Sequence, residues 1–248
     1  FCSMPIPKAI LVLAVPTVIS QIITIIYNMA DTFFIGQLGE PRQVAAATLN
    51  MPLFMFMTAL SNLFGVGGSS LISRFLGANE HKKASHCCAF CIWTTTVSAF
   101  LYGIFMLLFC PVLMPVLGAN EETLPLASSY LFWTIGIGAV PTVLNPALAH
   151  LIRAEGYSKQ ASFGVAFGGV LNILLDPLFI YGLRLQITGA AIATLISNTI
   201  ALLYFLHFIW KIRATSVLTL SPRMYRITDH IPSEVLSIGL PSFLISMM

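Results

Sequence analysis

Apolar residues in this chain gather into long runs, without the strict alternation of a half-exposed strand or the narrow stripe of a surface helix. Each run approaches the roughly 20 residues that an α-helix needs to cross a bilayer. Read between charged positions, the runs predict helices over residues 9–34, 44–72, 84–110, 123–152, 161–181 and 189–210. A seventh run, 233–248, opens another helix and stops within it. Turn-forming residues stand near the breaks: Gly39 and Pro41, Gly77 and Asn79, Gly118 and Asn120, Gly156 and Ser158, and Gly182. The expected fold is all-α and integral to the membrane. A six-transmembrane-helix bundle occupies 1–212, a cytoplasmic linker 213–232, and the start of transmembrane helix 7 occupies 233–248.

Composition agrees, with 57% hydrophobic and only 8% charged residues. A soluble domain carries about a quarter charged residues, so the lipid bilayer is the expected solvent of this chain. The net charge of +3 matters less than its placement. Alternate helix ends hold ten basic residues: Lys8, Arg74, Lys82, Lys83, Arg153, Lys159, Lys211, Arg213, Arg223 and Arg226. The opposite ends hold only Arg42 and Arg184. Because cytoplasmic loops are enriched in Lys and Arg, this asymmetry predicts a multi-pass protein of the cell membrane with a cytoplasmic N-terminus. It speaks against nucleic acid as a partner. The first run is too long for a signal peptide and lacks a small-residue cleavage pattern, so it is expected to remain.

An internal repeat is also visible. Ile6, Pro7, Leu11 and Pro16 match Ile231, Pro232, Leu236 and Pro241 at a constant offset. Six crossings would return the second copy to the orientation of the first, as in transporters whose parallel halves rock about a central site. The expectation is therefore a second, C-terminal half beyond residue 248; the non-Met start and mid-helix end carry the same expectation.

Among the acidic residues, Glu40, Glu80, Glu121, Glu122, Glu155, Asp229 and Glu234 fall in loops or at helix ends. Asp31 and Asp176 fall within apolar runs. An Asp in mid-membrane costs about 2.5–3.5 kcal/mol on insertion scales, so it is expected to face a protein or aqueous interior. Asp31 precedes Gly39, and Asp176 precedes Arg184, by the same interval, which puts each about 12 Å below the outer helix end. Asn50, Tyr130 and Thr194 reach a similar depth on the inward-running helices. Tyr27 with Asp31, and Asn172 with Asp176, are spaced i, i+4 and share a helix face. Two acids brought together in low dielectric take up a proton or a cation, or separate. The neutral residues also have a plainer reading as interhelical hydrogen-bond glue.

Pro16, Pro52, Pro141, Pro146 and Pro177 are expected within helices, where each removes a backbone hydrogen bond and permits bending. Pro177, next to Asp176, and Pro16 are the candidates for coupling charge to helix shape. The small residues Gly65, Gly67, Gly68, Ser69 and Ser70 predict close helix packing rather than a phosphate loop. Cys88 and Cys91 form a C-x-x-C at a helix start, near Cys87, His81 and His86, outside the context of a redox motif or zinc site. Met51, Phe54, Met55 and Met57 suit packing or lipid contact better than a drug cavity. Trp133 and Trp210 suit interfacial anchoring.

Residues 27–39, YNMADTFFIGQLG, resemble the first-helix signature of the multidrug and toxic compound extrusion (MATE) transporters. Further likenesses follow in order: SRFLGA at 73–78, RAEG at 153–156, NILLDPLFIYG at 172–182 and GAAIAT at 189–194. The resemblance implies two six-helix lobes, twelve helices in all, of which this chain holds the N-terminal one. It implies export of small organic, often cationic, compounds driven by inward sodium or proton flow. In prokaryotic-type members, a cation or proton site matches Asp31, Asn172, Asp176 and Thr194, where a sodium ion would sit, and Tyr130 lies close to a family tyrosine. No cofactor is implied beyond the coupling ion. Two other readings compete. A related lipid-linked precursor flippase would need a more basic cavity, and an intramembrane enzyme using the two aspartates as acid and base would not need a parallel repeat.

Overall fold

The computed structural model describes residues 6–226 and 230–248. Asp229, assigned to the linker from sequence, lies outside them. Helix α1 spans Ile6–Gly36, α2 Pro41–Leu49, α3 Met51–Gly77, α4 His81–Val116 and α5 Leu124–Leu131. Then come α6 at Ala139–Ala154, α7 at Ser158–Pro177, α8 at Gln186–Ile212 and α9 at Ile231–Met247. Among the described residues five segments are long and apolar enough to span a membrane, and α5 with α6 makes a sixth, bent by 51°. Outward-facing apolar side chains such as Leu108, Val112 and Leu174 remain exposed along the bundle, as a lipid solvent requires.

The structure corrects the continuity of two runs. The second run breaks at Asn50 into α2 and α3, and Pro52 lies in the first turn of α3. The fourth opens into a π-helical turn at Phe132–Ile137 and resumes at Ala139. Pro52 and Pro141 therefore start helices instead of bending their interiors. A first-turn N–H has no intrahelical acceptor, so proline loses nothing there. Pro16 and Pro146 stand within α1 and α6, as do Pro111 and Pro115 within α4. Gly138 marks the bend: a Cβ there would strike the carbonyl of Thr134.

The small residues of α3 serve three neighbours, not one face. Gly65 meets Ala147 and His150 of α6, Gly68 meets Cys91 of α4 and Leu151 of α6, and Gly67 meets α9. The α3–α9 crossing is the tightest, since a Cβ on Gly67 would collide with the Val235 carbonyl and one on Gly239 with the Leu63 carbonyl. Asn62 donates to Ser246 at 2.8 Å, and Arg74 pairs with Glu234 at 3.9 Å across the same contact. Cys87, Cys88 and Cys91 are buried in the bundle as free thiols. Met57 is core, whereas Met51 and Met55 are exposed. Trp210 is exposed at the end of α8 beneath the guanidinium of Arg213 at 4.8 Å.

The linker after α8 is strapped to the lobe. Glu155 accepts hydrogen bonds from the Ser216 hydroxyl and from the Val217 N–H. Leu218 is fully buried, His86 Nδ1 lies 2.9 Å from the Met224 carbonyl, and Phe90 stacks on Tyr225.

Gly67→Val and Gly239→Val should each cost about 2 kcal/mol or more by overpacking, whereas Gly36→Ala, with nothing within 4 Å of its Cβ position, should be silent. Thermal unfolding in detergent, with protease accessibility of α9 as a local readout, checks this; equal melting of all three variants would refute the close crossing.

Candidate functional site

Glycine fixes where α1 meets α7. A Cβ on Gly169 would lie 3.0 Å from Tyr27 Cδ1 and 3.1 Å from Ile23 Cγ2, so Tyr27 rests where a side chain on α7 would otherwise stand. Both helices run in the same direction across the bundle. Asp31, one turn beyond Tyr27, is thus carried to the level of Asn172 and Asp176, which follow Gly169 on α7. The two carboxyl groups come within electrostatic range of each other. Tyr130, from the end of α5, lies within range of Asp31, Asp176 and Tyr27.

Asn172 organises the α7 side. It is 2% exposed and Asp176 0%. Its Nδ2 donates to Asp176 Oδ1 at 3.3 Å and to Thr194 Oγ1 of α8 at 3.3 Å. Pro177 ends α7 and cannot donate to the carbonyl one turn back. The chain widens at once into a π-helical turn, Leu178–Gly182. Tyr181 in that turn donates to the Phe34 carbonyl of α1 at 2.7 Å, tying the irregular segment to the helix that bears Asp31.

Four helices, α1, α5, α7 and α8, therefore supply one polar layer inside the lobe. Asp31 Oδ1, Asp176 Oδ2 and Asn172 Oδ1 are buried without a hydrogen-bond partner among the described residues. Buried acceptors are normally satisfied, and a surplus of oxygen acceptors with negative charge suits a proton or a hard cation. Carboxylates, a carboxamide oxygen and a hydroxyl form an all-oxygen donor set of the kind sodium accepts.

The other sequence candidates do different work. Asn50 is fully buried, but its amide donates to the carbonyls of Ala46 at 2.9 Å and Ala127 at 3.3 Å, bracing the break between α2 and α3 against α5. It supports the wall that carries Tyr130. Helix α1 runs through Pro16 to Gly36, with Pro16 more than a dozen residues before Asp31.

Two polar groups escaped the sequence reading. Gln43, 1% exposed, donates to Gln186 at 3.0 Å and accepts from the Ile187 N–H at 3.1 Å, latching α2 to the start of α8. Asn145 of α6 donates to Asn198 of α8, which donates to Thr142, at 3.3 Å each. The available signal was Asn198 standing four residues beyond Thr194. Arg153, placed at a helix end from the sequence, lies in the last turn of α6 and reaches Ser20 of α1 at 3.4 Å.

The family model MatE matches residues 16–178. The multidrug export protein MepA of Staphylococcus aureus is 32% identical over 98% of this chain and 53% of its own length. Its counterpart in Staphylococcus saprophyticus is 32% identical over 97% of this chain and 53% of its own length. The chain thus spans about half the length of the curated relatives it matches. Among solved structures, a multidrug resistance MATE family transporter in its outward-facing conformation aligns with TM-score 0.88 and 31% identity over 97% of this chain and 52% of its own. An inward-facing one aligns at 0.84 with 30% identity over 96% and 54%. MATE crystal structures in straight and bent conformations align at 0.88 and 0.86, with 32% and 31% identity, each over 96% of this chain and 52% of its own.

Asn172→Leu removes the donor shared by Asp176 and Thr194, and should lower stability by about 1 kcal/mol. Thermal melting in detergent measures it; an unchanged melting temperature would show that this amide bears no structural load.

Proposed function

The chain belongs to the MatE family, and from that membership we propose that it forms the N-terminal lobe of a secondary active antiporter that exports small organic, often cationic, drugs and toxic compounds. The observation that carries the proposal is that Asp31 and Asp176 lie within electrostatic range of each other inside the lobe, with buried oxygen acceptors left without a partner among the described residues. Asp31 and Asp176 hold the coupling ion, sodium or a proton, and Asn172 and Thr194 complete the site. Tyr27 and Tyr130 close it, and Asn50 braces its wall. The protein works without a cofactor and without enzymatic chemistry.

The coupling follows from charge. With the ion bound, the two carboxyl groups tolerate close approach; without it, their repulsion favours separation of α1 from α7. Pro16 on α1 and Pro177 on α7 give each helix a place to yield, so occupancy is converted into helix shape. Related structures in straight and bent, and in outward- and inward-facing, conformations support a lobe that changes shape during its cycle. The relatives named as multidrug export proteins favour drug export over lipid flipping. The bias of basic residues favours the cytoplasmic membrane, with the N-terminus inside.

In the full-length transporter, Asp31→Asn and Asp176→Asn should each abolish gradient-driven efflux while leaving membrane insertion intact. Proteoliposome counterflow under separate sodium and pH gradients identifies the driving ion, and normal dye efflux from both variants would defeat the coupling-site assignment.

A further inference from the structure

One turn along α8 from Thr194, toward the end rich in basic residues, lies Asn198. The two are spaced i, i+4, so their side chains leave the same helix face about 6 Å apart along the axis. Asn198 Oδ1 accepts from Asn145 Nδ2 at 3.3 Å, and Asn198 Nδ2 donates to Thr142 Oγ1 at 3.3 Å. Asn145 is 7% exposed, and its Oδ1 is buried without a partner among the described residues. An amide already spending its donor on the neighbouring helix, and left with a bare acceptor in a polar cluster, has the chemistry of a water site. Such waters typically satisfy buried groups that the chain leaves unpaired.

We propose that Thr142, Asn145 and Asn198 form a hydration site between α6 and α8. Its water donates to Asn145 Oδ1 and provides the first hydrating station for the coupling ion on the cytoplasmic side of the Asp31–Asp176 pair. The proposal rests on the coupling reading above and on the cytoplasmic placement of the basic helix ends. Polar side chains descend through α8 in order: Thr194 touches Asn172 of the ion site, and Asn198 follows at the next turn. An ion leaving two carboxylates for the cytoplasm must regain hydration, and a fixed water one turn away lowers the cost of its first step. A proton would use the same water as its acceptor.

The test uses full-length transporter in proteoliposomes and in detergent. Asn145→Leu and Asn198→Leu expel the water and should slow gradient-driven efflux by about tenfold or more, while equilibrium sodium or proton uptake at the aspartate pair stays within about twofold of wild type. Asn145→Ser cannot span to Asn198 but leaves room for water, so it should keep most of the efflux; a glue residue would not be rescued this way. Unchanged efflux in both Leu variants, or a Ser variant as slow as Leu, overturns the hydration site. Asp31→Asn, run in parallel, separates the two readings: if it transports normally the coupling site itself fails, whereas if it is dead beside a normal Asn145→Leu only the hydration site falls.

Discussion

Two carboxyl groups within electrostatic reach of each other, inside a bundle whose outer surface is lipid, constrain most of what surrounds them. In hydrocarbon no water is available to screen them, so their neighbours must come from other helices. Asn172 supplies one donor to Asp176 and ties it to Thr194, while other acceptors have no partner among the described residues. Among the described residues the arrangement is therefore under-satisfied. A site completed by an added cation is one whose geometry depends on whether that cation is there.

Placing the two acids opposite each other demands a backbone approach that only small residues permit. Gly169 opens α7 to Tyr27, and the contact sets the register that brings Asp31 level with Asp176. On the other side of α7, Gly164 and Gly168 admit Phe205, Tyr204 and Ala201 of α8, which holds Thr194 close to Asn172. Helix α7 is thus gripped on both sides near its middle, while its outer end passes through Pro177 into a π-helical turn. Packing is close below the acids and the backbone irregular above them.

Much of this was legible in the sequence. In a bilayer each crossing must satisfy its own backbone, so apolar run length and charge placement report the helices directly, and i, i+4 spacing reports shared faces. Asp31 and Asp176 stood out because a charged side chain is costly there. Asn145 and Gln43 did not, since a neutral amide in an apolar run looks the same whether it braces a helix or holds water; its partners lie more than fifty residues away in the chain. Helix breaks were hidden for a related reason. Hydropathy averages over a run and reads straight through Asn50 and Gly138, where the bilayer tolerates irregular backbone because neighbouring helices cover it. Proline position alone does not separate a helix start from a bend, as Pro52 and Pro141 show.

The irregularities are not scattered. Asn50 breaks α2 from α3 and bonds to Ala127 of α5; one turn on from Ala127, Tyr130 precedes the π-helical turn at Phe132–Ile137, and Asp176 precedes the one at Leu178–Gly182. Each break therefore adjoins a residue of the same polar layer. π-Turns are rare, occur mostly as single-turn bulges within α-helices and are frequent at functional sites, so the irregular backbone of this bundle stands where the charge would change. If the lobe moves when its carboxyl groups gain or lose a cation, these junctions, together with Pro16 on α1, are where the helices have room to yield, because a regular, closely packed helix interior has none.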